Sequence, residues 1–330
     1  MKSEYDFVAI GDTVTDAFIR LKDISAHIDV DRGTREICMR FADKIPYESV
    51  TIVPAVGNSA NAAIAAARLG LKSALVTNMG DDYFGKECLS VFKTEGVAND
   101  YIKIHKGAKT NYHYVLWYED DRTILIKHEK YTYSLPDVGG PKWIYLSSLG
   151  SDADGLYSHI ESYLKHHPEV NFAFQPGTYQ IKRGKEKMAY FYKRAKVFFC
   201  NKQEAERILG IKKTDLKTLL RGIRDLGVEI AVITDGPKGA YAYENGNMWY
   251  MRDYPDPKPP YERTGAGDAF SSTFTVALAL GLSVTDALRW APINSMSVVQ
   301  YVGAREGLLT RKEIEKFLRK SPKDYHPRQF

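Results

Sequence analysis

Cysteine is scarce in this 330-residue chain: Cys38, Cys88 and Cys200 are odd in number and far apart. With no CxxC and no Cys/His cluster, the spacing argues against both a disulfide framework and structural zinc, and a reducing, cytoplasmic setting is expected. Long apolar runs are lacking too. The least charged stretch, residues 269–285, is diluted by Ser, Thr and Gly and is short for a membrane span. The N-terminal "MKSEYDFVAI" has no signal-peptide core and reads as a first strand. Charge of one sign is not in excess either, since the net charge is +5 and the basic residues are scattered. The densest basic group (Lys316, Arg319, Lys320, Lys323, Arg328) has no interleaved aromatics, so neither nucleic acid nor a membrane is expected as a partner.

What the chain does have is rhythm. Short β-branched and aromatic runs at residues 6–10, 73–77, 143–146, 172–174, 197–200 and 229–234 alternate with helix-period segments at 60–69, 83–95, 266–280 and 284–301. This predicts an α/β fold with a mainly parallel central sheet flanked by helices, in a single domain over residues 1–330. Two segments break the alternation. Residues from about 18–53 and 101–133 read as strands without crossover helices, the second holding a hairpin that turns at Glu119–Asp121. They are expected to form a small β-sheet lid. On it Tyr112, Tyr114, Trp117 and Tyr118 serve either as sheet core or as a stacking platform.

Two glycine-rich stretches compete as phosphate sites. "GDDYFGKE", Gly80 to Glu87, is one residue type away from a P-loop. A P-loop needs a Ser or Thr hydroxyl where Glu87 stands, and Asp81 and Asp82 place negative charge where an anion should sit. Gly85 and Lys86 are expected in the first turn of a helix, so this stretch is not a nucleotide site. "ERTGAGDAFSSTF", Glu262 to Phe274, suits the task better. Gly265, Ala266 and Gly267 open a helix whose unpaired amides can face an anion, with Asp268 in the first turn. By itself Asp268 also fits a helix-dipole partner. A dinucleotide fingerprint is ruled out, because its third glycine would be Phe270.

Together with other segments, "TGAGDAF" resembles the C-terminal signature of the ribokinase-like (PfkB) carbohydrate and nucleoside kinases. The order also matches: "GDTVTD" after the first strand, "GNSANAAIAAARLGLKSALVTNMGDDYFGKE", "NKQEAE", and "VITDGPKGAYAY". The resemblance implies ATP as co-substrate, Mg²⁺, and phosphoryl transfer to a hydroxyl of a small molecule. It implies Asp268 as general base and Gly265, Ala266 and Gly267 as the anion hole. It places Thr234, Gly236, Thr264 and Asn294 against the nucleotide, and Asp12, Asp16, Gly57 and Asn61 against the substrate; Arg263, which departs from the family pattern, is expected to bring a fixed positive charge to the phosphates. Asn201 and Glu204 would help hold Mg²⁺, largely through water; their i, i+3 spacing equally makes a helix capping box.

A carboxylate pair accepting hydrogen bonds from vicinal hydroxyls favours a sugar. The aromatic lid favours a nucleoside as the alternative, and a sugar phosphate comes third. A catalytically silent sugar- or nucleotide-binding regulator is the rival from another class. Glu262 and Arg263 replace the Asp-Thr pair common in the family, which puts a monovalent-cation site in question. The basic segment 23–48, with Arg32, Arg35, Arg40 and Lys44, matches no motif. A homodimer through the lid is expected from its exposed edges.

Overall fold

In the computed structural model, which describes residues 4–22, 27–31, 34–119 and 121–330, β1 (Phe7–Ile10) divides its side chains between two cores. Phe7 and Ala9 enter one and Val8 and Ile10 the other, all fully buried, as the two-residue period of a strand requires. The chain continues through β2 (Val14–Leu21), a hairpin of β3 (His27–Asp31) and β4 (Thr34–Cys38), and β5 (Tyr47–Val56). Next come α1 (Asn58–Arg68), β6 (Ser73–Gly80), α2 (Tyr83–Thr94), β7 (Val97–Ala98), β8 (Ile102–His105), β9 (Asn111–Tyr118) and β10 (Asp121–Leu125). The middle of the chain holds β11 (Trp143–Leu146), α3 (Asp154–His166), β12 (Asn171–Phe174), α4 (Thr178–Arg183), α5 (Ala189–Arg194), β13 (Val197–Asn201), α6 (Lys202–Leu209), α7 (Leu216–Asp225) and β14 (Ile230–Thr234). It closes with β15 (Ala240–Glu244), β16 (Asn247–Met251), α8 (Ala266–Ala279), α9 (Val284–Val298), α10 (Arg311–Arg319) and β17 (Arg328–Gln329).

The large sheet runs β17-β16-β15-β14-β13-β12-β11-β1-β6-β7, with β8 also paired to β6. From β14 to β7 every pairing is parallel, and the three strands beyond β14 are antiparallel. Helices α1, α2, α8, α9 and α10 bury apolar residues in one core, and α3, α5, α6 and α7 in the other. This is the α/β class expected from the alternation. Strand order reverses around β1, which lies between β11 and β6, and ligands of open α/β sheets sit outside the carboxyl ends of strands at such a point.

The small sheet has the order β10-β9-β2-β5. Both expected segments contribute to it, although β8 joins the large sheet instead. The β2–β9 register pairs Asp16 with His113, Phe18 with Val115 and Arg20 with Trp117, so these side chains share one face. Tyr112, Tyr114 and Tyr118 therefore point to the other. On that face Tyr112 packs against Phe84 of α2, while Trp117 is buried against Tyr261. Glu119 takes a left-handed φ of 55° at the hairpin turn. Asp120 and Arg32 lie outside the described residues.

"GDDYFGKE" has a structural role. Asp82 caps α2 by accepting from Gly85 N, and it also takes Thr110 N and Thr110 Oγ1. Asp81 accepts from Gly107 N. A Cβ at Gly85 would meet Gly80 O at 2.1 Å, so that glycine is what lets α2 pack closely on the end of β6. Burial works against ionising Asp82, but its three donors win and hold the carboxyl below the ordinary range. The three cysteines are unpaired. No helix among the described residues is long and apolar enough to cross a membrane.

Candidate active site

The carboxyl ends of the parallel strands and the N-termini of α1 and α8 meet in one place. α1 is built from "NSANAAIAAAR", and its small side chains let it pack directly on α8. That approach carries Asn58 and Asn61 to Asp268 in the first turn of α8. Gly265 caps α8 in the left-handed region with φ 83°, and a Cβ there would lie 2.2 Å from Ala304 Cβ. Only glycine fits both demands.

Asp268 sits in a cage of carboxamides. Its Oδ1 accepts from Asn58 Nδ2 at 2.9 Å and Gln175 Nε2 at 3.0 Å, and its Oδ2 accepts from Asn61 Nδ2 at 2.8 Å. Tyr145 in turn donates to Gln175 Oε1 at 2.5 Å, and its oxygen lies 2.8 Å from Ser271 Oγ. Burial pushes the Asp268 carboxyl above its ordinary value, while the three amides and the Arg122 charge oppose that rise.

Two cavities share this neighbourhood. One, of about 420 Å³, is polar and runs from Asp16, Gly57 and Asn61 past Asp268 to Asn201 and Glu204. The other, of about 400 Å³, has apolar walls from Pro237, Phe270, Pro292, Met296 and Val299. Thr234, Gly236, Arg263, Gly267 and Phe270 border both, so the two form one bipartite cleft. Its joint lies over the amides at the start of α8, where an anion is favoured.

Most of the expected site residues line this cleft: Asp16, Gly57, Asn61, Asn201, Glu204, Thr234, Gly236, Arg263, Thr264, Gly265, Ala266, Gly267 and Asp268. Thr264 gives both its N–H and its hydroxyl to Glu262, which limits it to a supporting part. Asn201 and Glu204 form the capping box of α6, Asn201 Oδ1 accepting from Glu204 N and Glu204 Oε2 from Asn201 N. Burial raises the Glu204 carboxyl, with the Asp268 charge adding to the rise.

Two assignments need correction. Asn294 does not face the nucleotide cleft. It is fully buried, donating to Thr273 Oγ1 and accepting from Leu309 N, and its neighbours Pro292, Ser295 and Met296 form the wall. Asp12 does not line the polar cavity. Its carboxylate is nearly inaccessible and already receives Tyr133 Oη, His128 Nδ1 and Gly150 N, so it braces the loops behind the site. The carboxylate pair thus reduces to Asp16.

Three residues on the site lie outside the set expected to form it. Gln175 and Asn58 bind Asp268, and Arg122 reaches the polar cavity from β10. Gln175 follows β12, and a polar residue at the end of a buried strand was its one available signal. Arg122 carried none, because its place depends on how β10 folds over the cleft. Three buried polar atoms on the cavity residues lack hydrogen-bond partners: Asp16 Oδ1, Asn61 Oδ1 and Arg122 Nε. His113 Nδ1 stands 3.4 Å from Asp16 Oδ1, beyond a good hydrogen bond.

Residues 25–311 match the model of the pfkB family carbohydrate kinases. The chain is 28% identical to a 2-dehydro-3-deoxygluconokinase of Thermoproteus tenax, covering 80% of this chain and 85% of that protein. It is 27% identical to a ribokinase of Bacillus subtilis, over 79% and 87% of the two chains. A structure of Arabidopsis thaliana ribokinase complexed with ribose and ATP superimposes with a TM-score of 0.76 at 19% identity, covering 96% of this chain and 99% of that one. With the family's model spanning most of its length and a ribokinase-like fold around a glycine-capped helix, the chain belongs to the pfkB family of carbohydrate kinases.

Proposed function

We propose that this kinase transfers the γ-phosphate of ATP to a hydroxyl of a sugar, with Asp268 as general base. The observation that carries the reading is the position of Asp268, beside the anion-binding start of α8 and on the wall of a polar cavity that adjoins an apolar cleft. The apolar cleft suits a nucleobase. The triphosphate would then cross the joint, where the Ala266 and Gly267 amides and Arg263 favour negative charge. Asp268 takes the proton of the acceptor hydroxyl as its O–H bond breaks. The freed oxygen bonds to the γ-phosphorus, and the bridging P–O bond breaks to leave ADP.

Asn201 and Glu204 fit a Mg²⁺ held largely through water, since Glu204 Oε2 is committed to Asn201 N and Oε1 remains for an ion or its water shell. When bound, that ion would neutralise charge on the donor phosphates. Glu262 has both sites of Oε1 taken by Thr264 N and Thr264 Oγ1, and its Oε2 accepts from Gly303 N. This supports the reading that the usual monovalent-cation geometry is altered.

Asp16 and Asn61 bring acceptor-bearing side chains to the wall of the polar cavity, which favours a hydroxyl-rich sugar over a less hydroxylated substrate. The register turns Tyr112, Tyr114 and Tyr118 away from the cavity, so the stacking platform that favoured a nucleoside loses its support. A sugar acid is the second reading. Arg122 brings a guanidinium to the same cavity, and one relative is named for an acidic sugar. ADP release with Mg-ATP against pentoses, hexoses, sugar acids, sugar phosphates and nucleosides tests both readings. A charged hydrogen bond to an acidic acceptor predicts that Arg122→Gln raises its KM about 10- to 100-fold while neutral sugars are little affected. Turnover of nucleosides alone would overturn the sugar reading.

The outer face of the small sheet supports a homodimer. Val50, Ile52, Tyr114 and Leu125 are all about half exposed there, a group of apolar side chains of the kind that marks an interaction surface. Sedimentation should give a dimer that Ile52→Lys converts to monomer; a wild-type monomer at micromolar concentration would reject it.

A further inference from the structure

An ionised carboxylate has about four lone-pair sites, two on each oxygen. Asn58 and Gln175 take both sites of Asp268 Oδ1, while Oδ2 carries only Asn61. Asn61 gives one amide proton to this contact, and its own Oδ1 is buried and has no hydrogen-bond partner. Oδ2 therefore keeps a lone-pair site that no side-chain amide takes. Gln175 is itself oriented: Tyr145 donates to its Oε1 and so turns its Nε2 toward Asp268.

Resting on the reading of Asp268 as base, we propose that Gln175, fixed by Tyr145, acts with Asn58 as a positioning pair that saturates Oδ1 and leaves Oδ2 as the atom that takes the acceptor's proton. The arrangement also solves a chemical problem. A carboxylate this enclosed tends to hold its proton, and amide donors to the charged form oppose that rise.

Other charges face the same space: Arg122 from β10, Asp16 from β2, Glu204 from α6 and Arg263 ahead of α8. Of these, Arg122 works to lower the Asp268 carboxyl, and the Asp268 charge adds to the rise at Glu204. Tyr145 stays protonated throughout, because burial raises its hydroxyl well above the ordinary value. It therefore works as a fixed donor over the whole working range.

The test needs no knowledge of the acceptor. Protein carrying ¹³C-labelled aspartate carboxyls is titrated by NMR, and the Asp268 signal is assigned by its loss in Asp268→Asn. Removing one amide donor in Gln175→Leu should raise the Asp268 titration midpoint by about half to one pH unit. Tyr145→Phe should raise it by less. In the same proteins, ADP release from Mg-ATP with water as acceptor should show its acid limb moving to higher pH by a matching amount, with the plateau lowered less than about tenfold because Oδ2 survives. If Gln175→Leu does not fold, the shape-conserving Gln175→Glu carries the test, and its added carboxyl should move the midpoint further upward. An Asp268 midpoint unchanged in Gln175→Leu overturns the proposal, even if turnover falls, since a purely structural residue would behave that way. Undiminished turnover in Asp268→Asn would instead remove the underlying assignment of the base.

Discussion

Asp268→Asn is expected to lower turnover by about 10²–10⁴-fold, the loss usual when a positioned general base is removed. The fold should tolerate the change. The new side chain keeps an oxygen for Asn58 and Gln175 and brings an NH₂ group toward Asn61. Two facing donors would normally repel. Here Asn61 can turn its amide over, because its Oδ1 has no partner to lose and can accept from the incoming NH₂. Mg-ATP should therefore still protect the variant against thermal unfolding. ADP release at saturating acceptor, set beside that thermal shift, separates lost chemistry from lost binding. Turnover within a few-fold of wild type would show that another group takes the proton.

Gly265→Ala is expected to be nearly as damaging, for a backbone reason. The left-handed φ of 83° costs an L-residue roughly 1–2 kcal/mol, and the added Cβ would stand 2.2 Å from Ala304 Cβ and 2.4 Å from Ala304 Cα. Neither neighbour is the flexible end of a long side chain. The start of α8 must move, and the Ala266 and Gly267 amides lose their aim at the transferred phosphoryl group. Losing one such donor typically reduces turnover by about 10²–10³-fold. Gly267→Ala is the control. Gly267 has no positive φ, and a methyl group added there would meet nothing within 4 Å, so it tests the added methyl without the strain. The melting temperature should fall for Gly265→Ala and hold for Gly267→Ala. Equal melting temperatures in the two would refute the strain argument.

The difference between these glycines illustrates what was legible in the chain. "TGAGD" announced a helix start suited to an anion, because small residues before a helical run are a local signal. It could not tell which glycine was indispensable, since that depends on Ala304, a residue 39 positions further along the chain. The same limit explains Asn294. Its type and helical place suited a ligand contact, but α9 turns it into the core, where Thr273 and Leu309 N consume its amide. Asp12 failed similarly. A carboxylate just beyond a first strand commonly meets the ligand, yet Tyr133, His128 and Gly150 reach it first. Asn201 and Glu204 were read in two ways, and the capping box is one of them.

By itself, the sequence determined the α/β architecture, the start of α8 and the dismissal of "GDDYFGKE" as a phosphate loop. Each of these rests on interactions among residues close in the chain: strand and helix periods, helix caps, and charge beside charge. Only the tertiary structure decided the environment of Asp268. Its partners come from α1, from the end of β12 and, through Tyr145, from β11, segments with no local reason to meet. They meet because α1 is thin enough to lie against α8 and because parallel strands end together at one edge of the sheet. The same packing set the register that turned three tyrosines outward and brought Arg122 inward. Periodicity can assign side chains to alternating faces of a strand. Which face looks onto the cleft is settled only when the sheet is docked.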